Sequence, residues 1–122
     1  MHKSIIAIGI ESSCDDTSIG IIKVDIKGKL IVAENITSEK MGLVTETQDK
    51  LHKDYGGVVP EIAARAHSEK IDICLKKVLE QSKLNLDRID IICVTAGPGL
   101  IGGLMSGVNF SCTTGRSFNW CC

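Results

Sequence analysis

Residues 6–22, IAIGIESSCDDTSIGII, set two apolar runs on either side of a polar cluster, Glu11-Ser12-Ser13-Cys14-Asp15-Asp16-Thr17-Ser18. Ile5 to Ile10 is a nearly unbroken apolar run, the pattern of a central strand buried on both faces. Thr17 to Val24 is rich in β-formers and closes on Asp25-Ile26-Lys27-Gly28, a turn signal. Leu30 to Thr37 then reads as a third strand, so the chain opens as an antiparallel meander.

Farther along, residues 38–57 are polar and end in a flexible break at Tyr55-Gly56-Gly57. Pro60 suits the first position of a helix, and Glu61 beside it complements the helix dipole. Ala63, Ala66, His67, Ile71, Cys74, Leu75, Val78 and Leu79 share one face at helical spacing, which carries the helix to about Lys83. Ile89 to Ala96 is a fourth strand, Gly97-Pro98-Gly99 a tight turn, and Leu100 to Phe110 a second helix. The order is βββαβα, and a strand reached through a helix makes the sheet mixed. The second helix should return to a fifth strand, and the sequence supplies none. Residues 111–122, SCTTGRSFNWCC, change composition abruptly, with three of the six cysteines and the only tryptophan. The expected division is a domain over 1–110 and an atypical tail over 111–122.

Composition narrows the function classes. Lys plus Arg number 14 against 15 Asp plus Glu, so no basic excess announces phosphate-driven binding. No apolar run approaches the ~20 residues that span a bilayer. The N-terminus lacks the pattern of a secretory signal peptide. Cys74 and Cys93 lie in apolar patterns and read as small buried hydrophobes, which favours a reducing compartment. Cys112, Cys121 and Cys122 make poor tetrahedral ligands, because adjacent cysteines lack C-x2-C spacing and no histidine lies nearby.

The polar cluster admits two readings. Asp and Ser are common turn formers, so it can be a hairpin turn with solvated carboxylates. It is also overbuilt for a turn. Successive amides and hydroxyls at a strand end, here at Ser12 and Ser13, make an anion nest, and Asp15 and Asp16 beside it can hold a cation that bridges phosphates. Gly97 to Gly102 matches G-x-G-x-x-G between strand and helix. Three strands precede it and no acidic residue follows ~20 positions on, so a dinucleotide fold is not implied. Backbone at Gly97 and Gly99 that approaches a ligand at a helix N-terminus remains the sense of the motif. His67 is a candidate ligand contact, with a core or interface histidine as its rival. His52 lies in the polar segment before Gly56 and has less to recommend it. Cys14 has no local histidine to activate it, so a buried or loop-packing role is preferred to a nucleophile.

Three segments, GIESSCDDTSIGII, HKDYGGVVPEIAARAH and VTAGPGLIGGLMSGV, together resemble the N-terminal part of the tRNA threonylcarbamoyladenosine synthase family, long labelled glycoprotease or O-sialoglycoprotein endopeptidase. The likeness spans residues 5 to about 110 and is to the bacterial and mitochondrial branch. It implies an α/β fold, the incomplete first lobe of an actin-like, sugar-kinase-like ATPase. It also implies transfer of a threonylcarbamoyl group from its adenylate to the exocyclic amine of the adenosine beside the tRNA anticodon. Asp15 and Asp16 match the family's acidic pair and take the catalytic, amine-orienting role; Ser12, Ser13, Gly97, Gly99 and His67 are the substrate-binding candidates. The family's divalent metal, iron or zinc, uses an H-x3-H motif and a late aspartate, and neither motif nor a Ser-Gly-Gly-His-Thr loop occurs here. The resemblance implies tRNA and threonylcarbamoyl-adenylate as partners, a paralogous subunit or a second copy bound through residues 60–83 and 99–110, no membrane, and a cytoplasmic or mitochondrial location. A fragment lacking the metal motif is expected to be inactive alone. A kinase of the same superfamily is the remaining reading, and the Tyr55–His67 segment speaks against it.

Overall fold

The computed structural model describes residues 2–29, 31–114 and 119–121. Strands β1 (His2–Glu11), β2 (Asp16–Lys27) and β3 (Ile36–Thr47) form the meander. A one-turn helix α1 (Asp49–His52) leads to the long helix α2 (Pro60–Ser82), strand β4 (Ile91–Val94), helix α3 (Ile101–Thr113) and strand β5 (Asn119–Cys121). The sheet order is β3-β2-β1-β4-β5. β1 and β2 pair antiparallel from His2↔Lys27 to Glu11↔Ser18, and β1 pairs parallel with β4 from Ala7↔Ile91 to Ile10↔Val94. The mixed sheet is thus as the sequence led us to expect. The fifth strand is a correction: Asn119–Cys121 continues the parallel ladder on β4, in the place where no strand was foreseen.

One face of the sheet is covered. Ile8 and Ile10 of β1, Ile19 and Ile21 of β2, Val44 of β3 and Ile92 and Val94 of β4 pack with Ile71, Cys74 and Val78 of α2 in a single core. The period of two along β1 leaves Gly9 exposed on the opposite face, so β1 is not buried on both sides. The unbroken apolar run concealed that alternation because Ala7 and Gly9 are small.

The third strand also differs. It begins at Ile36, and Ile31 is 75% exposed. The register of the hairpin decides this: Ile26 faces Ile36, which leaves residues 27–35 as its connection. β3 is an edge strand, where Thr37, Ser38, Glu39 and Lys40 are tolerated because their side chains stay in water. Met41 is the extra residue where pairing shifts from Ile21↔Gly42 to Ile22↔Lys40. α2 starts with Pro60 in its first turn and stops at Lys83, whose left-handed backbone turns its N–H back to the Glu80 carbonyl.

Candidate functional site

β1 and β4 lie side by side and parallel, yet their chains leave in opposite directions, β1 into β2 on one flank and β4 through α3 toward β5 on the other. Such a divergence opens a crevice at the carboxyl ends of the strands, where α/β sheets bind ligands. The Ser12–Asp15 bend forms one wall. The Gly97–Gly99 turn forms the other. A Cβ placed on Gly99 would stand 3.6 Å from Ser13 Cβ and 3.4 Å from Leu104 Cδ1, ordinary contact distances that put the two walls side by side; it is the positive φ of Gly99 that disfavours a side chain there.

The bend is braced from below. Ser12 is fully buried; its hydroxyl donates to the Gly103 carbonyl (2.7 Å) and accepts the Gly107 N–H (3.0 Å) of α3. A Cβ at Gly103 would lie 2.8 Å from Ser12 O, and one at Gly107 2.6 Å from Ser12 Oγ. Gly103 and Gly107 therefore serve close helix-to-loop approach, whereas a Cβ at Gly102 would make only an ordinary 3.4 Å contact with Ala64 of α2. His67, also fully buried, sits under the bend from α2. Its Nε2 is 3.1 Å from the Cys14 carbonyl and its Nδ1 2.8 Å from Thr17 Oγ1. A carbonyl can only accept, so Nε2 carries the proton and Nδ1 accepts the Thr17 hydroxyl. Burial pushes the His67 pKa down, against the opposing pull of the Cys14 carbonyl and of the Glu11 and Asp15 charges. Ser12 and His67, the substrate-binding candidates of the sequence, have their side-chain polar atoms engaged by the protein itself and brace the bend.

Glu11 has no assigned role in the sequence reading and proves central. One carboxylate oxygen accepts the Ser13 N–H and the other the Thr95 hydroxyl. Burial raises its pKa, but the hydrogen bonds from Ser13 and Thr95 outweigh burial and hold it below the ordinary carboxylate value. An isolated acid at the carboxyl end of an apolar strand was its signal in the sequence.

Asp15 and Asp16 stand at the crevice rim, Asp15 half-exposed and Asp16 exposed at the start of β2. The Asp15 carbonyl accepts the Gln48 N–H (3.0 Å). Cys14 is exposed, with a left-handed backbone, and is neither buried nor packed as foreseen. A hydrogen bond to Asp15 and the charge of that carboxylate push its thiol pKa up, which leaves it a poor nucleophile.

The segment after β3 is tied down on both sides of the exposed Tyr55-Gly56-Gly57 stretch. Gln48 is buried, accepting from His52 Nε2 (2.8 Å) and donating to the Ala63 carbonyl (3.2 Å). His52 Nδ1 accepts the Val59 N–H (3.3 Å), so both ring nitrogens are occupied. Sequence reasoning undervalued His52 because its partner is a glutamine four residues earlier on a helix too short to show periodicity. Cys74 is buried as foreseen, whereas Cys93 is only half-buried. Among the described residues no three His, Cys, Asp or Glu side chains are placed to hold a metal ion, and the rings of His52 and His67 are spent. The donor set does not fit an iron or zinc centre.

A family model described as tRNA N6-adenosine threonylcarbamoyltransferase matches residues 39–120. Curated proteins of the same description are similar in sequence. The Cereibacter sphaeroides protein is 47% identical over 108 residues, 88% of this chain and 27% of its own length. The Fusobacterium nucleatum protein is 49% identical over 106 residues, 87% of this chain and 28% of its own. The chain thus spans about a quarter of the length of the curated relatives it matches. Among solved structures, YeaZ from Pseudomonas aeruginosa superimposes with a TM-score of 0.56 at 12% identity, over 96% of this chain and 43% of that one. That likeness concerns the fold, and agrees with one lobe of the actin-like architecture.

Proposed function

The chain belongs to the tRNA N6-adenosine threonylcarbamoyltransferase family, and we propose that it supplies the first-lobe half of a site for threonylcarbamoyl transfer. The reaction joins the exocyclic amine of the adenosine beside the anticodon to the carbamoyl carbonyl carbon of threonylcarbamoyl-adenylate. The bond from that carbon to the phosphate oxygen breaks, adenosine monophosphate leaves with the electron pair, and the amine gives up a proton. The observation that carries the reading is the nearness of the bend to the Gly97–Gly99 turn, where only the absence of a Cβ on Gly99 keeps the turn from contact with Ser13. There the backbone at Gly97 and Gly99 admits the adenylate phosphate, with Ser13 on the facing wall. Asp15 and Asp16 at the rim orient the amine or take its proton. Ser12 and His67 act through the position they give the bend.

In this reading the divalent metal takes its ligands from family segments outside these residues. The chain alone then makes no modified tRNA when supplied with an adenylate-forming enzyme, bicarbonate, threonine and ATP; clear turnover would disprove its dependence on other segments. The site itself is tested by titrating the isotope-labelled chain with adenosine monophosphate. Amide shifts should centre on residues 13–16 and 97–100. A perturbation centred elsewhere, or none, would remove the crevice from consideration.

A second role rests on a separate observation. Ile73 of α2 and Ile101 and Met105 of α3 are 47%, 78% and 44% exposed. We infer that these helices carry association with a paralogous subunit or a second copy, in a cytoplasmic or mitochondrial setting. Sedimentation of the chain with and without the paralogue checks this, and a monomer that ignores it argues against the role. No described helix is long and apolar enough to cross a membrane.

A further inference from the structure

Glu11 sits between the two walls of the crevice. The carboxylate takes two kinds of donor: the Ser13 N–H belongs to the bend, and the Thr95 hydroxyl to the segment that opens the Gly97–Gly99 turn. The Thr95 backbone is in turn fixed to β1, its N–H donating to the Ile10 carbonyl at 3.0 Å. Thr95 is thereby anchored to β1 at the start of the turn, and Glu11 ties Ser13 to that anchor. The two walls come nearest at Ser13, itself one of the donors, and Gly99, four residues beyond the other.

We propose that Glu11 is a positioning residue of the crevice, its two carboxylate oxygens setting the spacing between the bend and the glycine turn at which a nucleoside monophosphate is held. This rests on the reading of the crevice as the adenylate site. Its chemistry favours a spacer over a ligand contact. A free carboxylate would repel a phosphate, whereas one satisfied by Ser13 and Thr95 is screened and turned aside. Ser12 and His67 brace the bend against the helices, and none of their four hydrogen bonds reaches Thr95. Glu11 makes the lateral link.

The expected signature separates spacing from folding. Glutamine can reproduce both bonds, its carbonyl accepting from Ser13 and its amide donating to a reoriented Thr95 hydroxyl. Alanine can reproduce neither. Valine at position 95 keeps shape but removes the hydroxyl.

The test uses the labelled 122-residue chain and adenosine monophosphate. In the unaltered chain, acid titration should move the Ser13, Gly97 and Gly99 amides together with one midpoint, that of Glu11. Thr95→Val should leave the Ser13 response and abolish the response at Gly97 and Gly99. Adenosine monophosphate should bind Glu11→Gln nearly as well as the parent, and Glu11→Ala and Thr95→Val about tenfold more weakly, the scale of one lost charge-assisted hydrogen bond. Independent titration of the two walls, or equal affinity in Thr95→Val and the parent, would overturn the positioning role while leaving the adenylate reading in place. Coupled titration with no binding to the parent chain would overturn the adenylate reading, and the positioning role with it. Should Glu11→Ala fail to fold, Thr95→Val and Glu11→Gln decide the matter.

Discussion

The Ser12 hydroxyl lies between two turns of one helix, donating to the Gly103 carbonyl and accepting the Gly107 N–H at 3.0 Å, so the first loop is pinned to α3 by a side chain that no solvent reaches. The pin exists because Gly107 has no Cβ: one added there would fall 2.6 Å from Ser12 Oγ.

Gly107→Ala should therefore lower stability even though alanine favours a helix. Helix propensity returns about 1 kcal/mol. Overpacking and the loss of the pin outweigh it, for a net loss of about 1–3 kcal/mol. Gly102→Ala is the matched comparison, because its Cβ would make an ordinary 3.4 Å contact with Ala64. Thermal unfolding of both variants should show Gly107→Ala melting well below the parent and Gly102→Ala level with it or above.

His67 predicts a pH dependence with a definite sign. Burial holds its folded pKa below the ordinary histidine value of about 6.5, so the unfolded chain binds the proton more readily. Its contribution to stability is complete above about pH 6.5 and is lost as pH falls from there through the lowered folded value. Glu11 acts in a separate, more acidic window. Its folded pKa is also lowered, so its contribution is present above about 4.5 and fades below that. Unfolding measured from pH 8 to about pH 2 should decline in these two stages. His67→Gln should flatten the first and leave the second; a first stage that survives the substitution would assign it to another group.

The parts of this molecule legible in its sequence are those where local pattern and tertiary demand agree. α2 announces itself through Pro60 and a 3.6-residue apolar period, and Ala63, Ala66, His67, Ile71, Cys74 and Val78 are all buried. β3 was misplaced because apolar content marks burial, whereas an edge strand is set by register with its neighbour and accepts Ser38, Glu39 and Lys40. At the site, the acidic pair and the glycine turn stand out by composition. Glu11, Thr95 and Gln48 do not, since their meaning lies in partners 84 residues away for Glu11 and Thr95, and 15 for Gln48 and Ala63. His67 was visible as a histidine on an apolar face; only the positions of Cys14 and Thr17 show that it braces the bend.

Gln48 offers a test of the bracing behind the first loop. Its side chain joins His52 to the Ala63 carbonyl, and its backbone N–H holds the Asp15 carbonyl. Gln48→Leu keeps the backbone bond and the volume but strands the His52 N–H in a buried position. A loss of about 1–3 kcal/mol is expected, the cost of an unsatisfied buried donor. Hydrogen exchange should quicken across residues 48–59 first. Unchanged protection there would show that the segment is held by other contacts.

The acidic pair can be assigned by the sign of a single effect. If Asp15 and Asp16 orient an amine at the crevice rim, they stand near the adenylate phosphate without binding it, and their charge opposes it. Asp16→Asn and the double variant should then bind adenosine monophosphate more tightly, by a few-fold at low salt, with the gain fading as salt screens the repulsion. If instead the carboxylates hold a divalent cation that bridges to the phosphate, the same variants should bind more weakly, and only when magnesium is present. Calorimetric titrations with and without magnesium distinguish the two. Asp16 is exposed at the first position of β2, so its substitution leaves the fold intact and the sign reads the site alone. Weaker binding confined to magnesium-containing solutions would move both aspartates from the amine to the phosphate.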